Sequence, residues 1–328
     1  MSLRWTFILL ALCLSLSGCV GVKSPELEAT EATVHVRLTM GYRPDVQFAP
    51  LYVAAEHGYY QDVGIEIEFN HIPETEAVQL IGANELHFAV VSGEQVLLAR
   101  AQDLPVVYVM AWWQDYPVAV AAPADSGITT PADLIGKQVG IPGLYGASYI
   151  GYRALMSAAG VSSDSVTLDS IGYNQVEALY EGQVDAVVIY ANNEPLQLES
   201  QGVPVNVIRV ADYVHLTSNG LITNQTIITE HPDLVQRMVA ATLKGLQDTI
   251  EDPAEAYEIS KLYVEGLDKA DETVQRGVLV ASIEFWKANR LGYSDPQSWE
   301  NMEQVLLEMG LLQEHLDLTQ AFTNEFLP

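Results

Sequence analysis

Cysteine and basic residues are the scarcest chemistry in this chain of 328 residues. It holds two Cys, Cys13 and Cys19, and 15 Lys+Arg against 43 Asp+Glu, a formal charge of −28. Two cysteines allow neither a disulfide framework nor a finger-type metal site, so the fold must stand on its packing. A surface this poor in cations repels phosphate backbones and anionic headgroups alike, which excludes nucleic-acid binding. Catalytic signatures are also missing. The seven histidines are scattered, with no HExxH and no close His/carboxylate set, which argues against a catalytic metal. There is no GxSxG, the commonest hydrolase signal. Lys137 precedes the glycine-bearing loop 142–148 instead of ending it, so the order GxxxxGK[ST] of a nucleotide-hydrolysing loop is absent.

What is present is a folded chain with an address. Hydrophobic residues make up 49% and charged residues 18%, which excludes intrinsic disorder. A length above roughly 250 residues favours two lobes over one core, and two lobes imply a cleft. At the N-terminus, Arg4 is followed by the apolar run Trp5–Leu16 and by Ser17-Gly18-Cys19, the shape of a signal peptide. The run is short of the ~20 residues that a membrane-spanning helix needs. Leu16-Ser17-Gly18-Cys19 resembles a bacterial lipobox, which implies cleavage of residues 1–18 and a lipid on Cys19. Residues 20–33 are small, polar and Glu-bearing. They read as a flexible tether of about 20 Å root-mean-square length, and the mature protein is expected at the cell membrane, facing outward.

The body alternates. Strands are expected at Val34–Met40, Ile65–Asn70, His87–Val91, Val106–Ala111, Val118–Ala122, Gln138–Ile141, Val166–Ser170, Val184–Tyr190, Val205–Val210 and Leu221–Asn224. Helices are expected between most of them, at 49–58, 74–81, 93–101, 149–159, 175–181 and 194–200. This pattern predicts an α/β fold of parallel sheets flanked by helices. From Glu230 onward the chain reads as helical, over 231–250, 253–264, 271–288, 296–309 and 316–325, with Pro232, Pro253 and Pro296 near helix starts. Turn signals place crossovers near Tyr116–Pro123 and Thr217–Asn224. One lobe is then 34–121 plus 222–328, the other 124–216, with C-terminal helices packing on the first.

Four phrases then fit together in order: FAPLYVAAEHGYYQDVGIEIEF at 48–69, GANELHFAVVSGEQ at 82–95, PADLIGKQVGIPGLYGASYIG at 131–151 and YEGQVDAVVIYANNEP at 180–195. They resemble the type II periplasmic-binding-protein fold of ABC importers. Within it they are most similar to the branch with binders of alkanesulfonates, nitrate, thiamine pyrimidine precursors and riboflavin, together with the yeast-type pyrimidine synthase. The resemblance covers residues 34–328 and implies a two-lobe protein with a hinge and an interlobe cleft. Its implied partners are a small-molecule ligand and an ABC permease with its ATPase, and it implies a monomer that touches the membrane only through the lipid.

Candidate ligand contacts lie at strand ends and loops, where open α/β sheets bind. Tyr42 follows the first strand, Trp112, Trp113 and Tyr116 mark the first crossover, Tyr145 sits in the glycine loop and Tyr190 ends a strand. Flat rings suit a flat aromatic ligand, because offset stacking adds roughly 0.5–1.5 kcal/mol per pair beyond area burial. Each is equally a core residue on composition alone. Ser92 opens a helix whose N–H groups face outward, or simply caps it. Asn174 reaches a ligand or caps the next helix. Asn193 and Glu194 end the second lobe's strand, where a carboxylate accepts from heterocycle N–H groups and an amide pairs with a carbonyl edge. The resemblance to pyrimidine binders carries a ring contact to Glu194; as a helix-start residue it is also favoured by the dipole. Sulfonate and nitrate would want cationic or dense amide donors; Arg43 and Arg153 are the nearby candidates, and either is equally a surface charge.

Pyrimidine synthases of this fold carry a cofactor-holding lysine and a histidine just after the third strand. Here Ala89–Gln95 has neither, so a binder without catalysis, cofactor or metal is expected. Riboflavin stands narrowly ahead of a thiamine pyrimidine as its ligand, because the paired tryptophans and several tyrosines offer more stacking surface than one six-membered ring needs. A sulfonate or nitrate binder, or a sensor lipoprotein without a transporter, remains the alternative.

Overall fold

The computed structural model describes residues 33–328. The expected signal peptide, Cys19 and all but the last residue of the expected tether lie outside the described residues. In chain order the elements are β1 Val34–Met40, α1 Ala49–Glu56, α2 Tyr59–Asp62, β2 Ile65–His71, α3 Glu74–Gly82, β3 Phe88–Ser92, α4 Gly93–Arg100, β4 Val106–Ala111, β5 Val118–Pro123 and β6 Gln138–Ile141. They continue with α5 Gly146–Ala158, β7 Thr167–Ser170, α6 Gln175–Tyr180, β8 Ala186–Tyr190, α7 Glu194–Ser200, β9 Val205–Arg209 and β10 Asn219–Asn224. Helices α8 Gln225–Glu230, α9 Pro232–Glu251, α10 Pro253–Ser260, α11 Glu272–Trp286 and α12 Pro296–Glu308 complete the chain. Among the described residues no helix is long and apolar enough to cross a membrane.

The strands form two five-stranded sheets, ordered β2-β1-β3-β10-β4 and β7-β6-β8-β5-β9. Each is parallel except for one strand: β10 runs antiparallel to β3 and β4, and β5 antiparallel to β8 and β9. The chain thus crosses to the second sheet at 112–117 and returns at 210–218. Residues 118–121, expected in the first lobe, instead belong to the second sheet. β5 pairs Val118 with Tyr190 and Ala119 with Arg209, so the crossing comes before this strand. An apolar run such as VAVAAP has the same composition in either sheet, and only its pairing decides.

Strands β3, β4 and β5 are buried almost throughout, as expected of strands covered by helices on both faces. α9 is amphipathic, burying Leu234, Val235, Met238, Val239, Thr242 and Leu246 at helical spacing, and it packs on α1. α12 touches α4 of the first sheet and α5 of the second. One apolar cluster accordingly runs from Val91 through Trp299 and Leu155 to Val118 and Val139.

The helix expected over 316–325 does not form. Only the short turn Leu318–Gln320 is helical, and the chain then runs beside β4. Tyr108 N–H donates to the Ala321 carbonyl at 2.9 Å, and Thr323 N–H to the Tyr108 carbonyl at 2.9 Å. Phe322 stacks on Trp299 at 5.0 Å between centroids. β4 is the edge of its sheet, and covering that edge satisfies backbone groups that a helix would leave open. Two short helices, α2 and α8, were not anticipated. Asn224 caps the second, its Oδ1 accepting from Ile227 N–H at 2.9 Å.

Candidate functional site

Strand ends from both sheets converge on a cavity of about 690 Å³, within the range of small-molecule sites. The first sheet supplies Tyr42 and Arg43 after β1, His71 and Glu74 around the β2–α3 turn, Trp112 and Trp113 after β4, and Asn219 at the start of β10. Facing them across the cavity are Tyr145, Tyr173, Tyr190, Asn193 and Glu194 of the second sheet. Seven of the ten expected contacts therefore line one cavity: Tyr42, Trp112, Trp113, Tyr145, Tyr190, Asn193 and Glu194.

Three do not. Tyr116 is 1% exposed and its hydroxyl donates to the Ala147 carbonyl at 2.9 Å, so it packs beneath α5 as a core residue. Ser92 is fully buried, its Oγ 2.5 Å from carboxyl oxygens of both Glu74 and Glu94. Asn174 is exposed, and its Nδ2 donates to the Ile171 carbonyl at 2.9 Å; its neighbours Tyr173 and Gln175 face the cavity instead. Arg153 also lies elsewhere. It donates to the Tyr149 hydroxyl at 2.9 Å in a separate depression with Ser157 and Glu308. Arg43, 5.3 Å from the centroid of the Tyr42 ring, is the only Lys or Arg among the described lining residues.

The aromatic wall is braced from behind. Trp112 contacts Phe48 at 5.5 Å and Trp286 at 5.6 Å, and Trp113 meets Tyr190 of the other sheet at 6.2 Å. Both tryptophans are under 5% exposed. By contrast Tyr145 is 71% and Tyr173 62% exposed at the mouth. Tyr145 belongs to the glycine loop, where Gly146 adopts φ +66° at the start of α5, a conformation that L side chains avoid. Tyr173 touches Tyr42 across the cavity at 5.5 Å, edge to face.

Two of the polar groups lining the cavity are carboxyls, Glu74 and Glu194, and both are shifted toward the neutral acid. Glu194 Oε2 accepts from Tyr190 N–H at 2.9 Å, and burial pushes its carboxyl up to about 7. Glu74 is pushed up to about 8, first by burial and then by the charge of Glu94. His71 donates to the Tyr42 carbonyl, and burial lowers its basicity, so the ring is neutral near pH 7. Such a surface can stack on a flat ring and offer both donors and acceptors to its edge, while giving an anion one cation. Sequence reading missed Glu74, His71 and Gln95. An acid directly after Pro73 at a helix start is accounted for by the dipole alone, so no local signal marked it.

A family model described as NMT1/THI5 like matches residues 45–256. The riboflavin-binding protein RibY of Chloroflexus aurantiacus is 40% identical over 313 residues, covering 93% of this chain and 89% of that protein. A formylaminopyrimidine-binding protein of Halalkalibacterium halodurans is 26% identical, covering 97% and 98%. A 4-amino-5-hydroxymethyl-2-methylpyrimidine phosphate synthase of Legionella pneumophila is 24% identical, covering 89% and 92%. Among solved structures, the periplasmic aliphatic sulphonate binding protein SsuA of Escherichia coli superposes with a TM-score of 0.72 at 14% identity, covering 87% of this chain and 96% of that one. At that identity the likeness establishes the two-sheet periplasmic-binding-protein fold and nothing about the ligand.

Proposed function

The chain belongs to the NMT1/THI5-like family, and from that premise we propose that it is a solute-binding protein that captures a heteroaromatic vitamin or precursor between its two sheets. Riboflavin is the favoured ligand and a thiamine pyrimidine the second. The observation that carries this reading is the make-up of the cavity wall: rings of Trp112, Trp113, Tyr42, Tyr145, Tyr173 and Tyr190 with the carboxyls of Glu74 and Glu194, against Arg43 as the one cation. A wall of this kind rewards stacking and edge hydrogen bonds and gives a sulfonate or nitrate little charge to pair with. The 40% identity to a riboflavin-binding protein over nearly the whole chain supports the same ligand.

Binding without catalysis is part of the reading. No lysine is among the described lining residues, and 89–95, where the synthases place one, is the buried end of β3 and the start of α4. Lipid on Cys19 would tether the body outside the cell membrane, and a permease with its ATPase would receive the ligand when the lobes open.

The test is a titration of the purified protein with riboflavin, formylaminopyrimidine, taurine and nitrate, followed by calorimetry and by flavin emission. Saturable 1:1 riboflavin binding with quenched emission is expected. Binding of the pyrimidine alone would move the assignment to thiamine salvage and point to Glu194. Binding of taurine or nitrate alone would overturn it.

A further inference from the structure

Glu74 opens α3, Ser92 ends β3 and Glu94 lies in the first turn of α4, yet the three side chains meet. Ser92 Oγ is 2.5 Å from Glu74 Oε2 and 2.5 Å from Glu94 Oε1. A hydroxyl has one hydrogen to give. It donates to one carboxyl; the second short contact needs another hydrogen, and only the other carboxyl can supply it. The trio therefore holds at least one proton between two acids, in the manner of like-charge carboxyl pairs that cannot both ionise.

Access is unequal. Ser92 and Glu94 are fully buried, and Glu94 Oε2 has no hydrogen-bond partner. Gln95 Nε2 stands 3.5 Å from Glu94 Oε1, at the limit of a useful contact. Glu74 reaches the cavity, its Oε1 3.4 Å from Asn219 Nδ2. Gly41 leaves room for it, because a Cβ at that position would lie 2.1 Å from Glu74 Cγ.

We propose that Glu74, Ser92 and Glu94 form a proton-sharing specificity element, in which Glu74 as the neutral acid donates a hydrogen bond to a carbonyl or ring-nitrogen acceptor of an uncharged heterocycle. The inference rests on the heteroaromatic reading above and goes on to name how the ring edge is recognised. The buried acids also disfavour an anionic ligand, a sulfonate or a phosphate ester, beside Glu74.

Other groups facing the trio leave the neutral range to the carboxyls. Tyr116, Tyr173 and Tyr190 sense Glu74, and Tyr108 senses Glu94, but burial raises all four phenols. His71, close to Glu74 in the chain, is held neutral by burial. Glu194 does titrate nearby, so variants must separate it from Glu74.

Infrared spectroscopy of the full chain in detergent, with Glu74→Gln and Glu94→Gln alongside, reads the proton without a ligand. A protonated-carboxyl C=O band is expected near pH 7 that fades toward pH 9 and is diminished in both variants. Riboflavin titrations then read recognition. Kd is expected to rise about tenfold between about pH 7 and pH 9, because the competent form falls to roughly a tenth. Glu94→Gln should move that rise to lower pH, since Glu74 loses its competing acid, and Glu74→Gln should abolish the step.

A band insensitive to both substitutions overturns the shared proton. A pH profile that is the same in Glu74→Gln as in the unsubstituted protein overturns the recognition role and leaves the ligand assignment standing. No binding of riboflavin or formylaminopyrimidine at any pH removes the ligand reading, and the recognition role with it; the infrared band then still judges the shared proton on its own.

Discussion

Asn192, just after β8, donates a hydrogen bond to Gln47, in the turn before α1 on the first-sheet side: its Nδ2 lies 2.7 Å from Gln47 Oε1 and 2.8 Å from Ser282 Oγ of α11. The residue is fully buried, so both bonds form away from water and their loss leaves acceptors unpaired. It stands directly before the cavity residues Asn193 and Glu194, and so fixes the second-sheet wall against the first. Asn192→Ala should lower stability by about 1–3 kcal/mol and weaken ligand binding, while Gln197→Ala, in the following helix α7 and partnered locally with Asn193, should do much less. Urea denaturation of the two variants checks this; equal effects would deny the cross-sheet bond its role.

Anchoring by Cys19 predicts a defined processing defect. Cys19→Ser should leave a longer precursor that carries residues 1–18 and fails to take up a radiolabelled fatty acid. Normal maturation of that variant would refute lipidation and return the N-terminal run to an ordinary signal peptide.

Most strands were legible because helix-covered strands read as continuous apolar runs, and Val106–Ala111 and Val118–Pro123 are of that kind. What the runs withhold is pairing. β5 belongs to the second sheet through Val118 and Ala119, and residues 316–325 lose their helical spacing to the uncovered edge of β4. The site shows the same division. Aromatics at strand ends marked the cavity, whereas facing was decided by single-residue steps: Asn174 points away and Tyr173 and Gln175 point in. Glu74 was invisible as a site residue, because its importance comes from Ser92 and Glu94, which approach only in the folded chain.

Rings at the mouth and rings at the back of the cavity should respond differently to truncation. Tyr145 and Tyr173 are largely exposed, so Tyr145→Ala and Tyr173→Ala should change stability by no more than about 0.5 kcal/mol. Each should weaken riboflavin binding by about 0.5–1.5 kcal/mol if it stacks on the ligand. Trp112 instead packs on Phe48, Trp113 and Trp286. Trp112→Ala should cost about 3–5 kcal/mol of stability, which makes its binding loss uninterpretable without a stability measurement beside it. Paired calorimetric and urea titrations separate the two groups, and unchanged affinity in both tyrosine variants would remove the mouth from the binding surface.

Acidity should stabilise the folded chain in a window that the two cavity carboxyls define. Glu194 is raised to about 7 and Glu74 to about 8, burial being the leading cause for each. Between the ordinary carboxylate range and those values the native state keeps protons that the unfolded chain has released. Stability therefore falls as pH rises through the window, and the contribution is fully present only below the unfolded value. Repulsion among exposed acids acts in the same direction but is common to every variant and complete once those groups have ionised. The urea midpoint should accordingly be lower at about pH 8.5 than at about pH 5.5. Glu194→Gln should flatten the part of the decline below about pH 7, and Glu74→Gln the part that extends toward pH 8. If both variants kept the full slope, neither carboxyl would hold its proton in the folded state, and the cavity would meet its ligand with ionised acids.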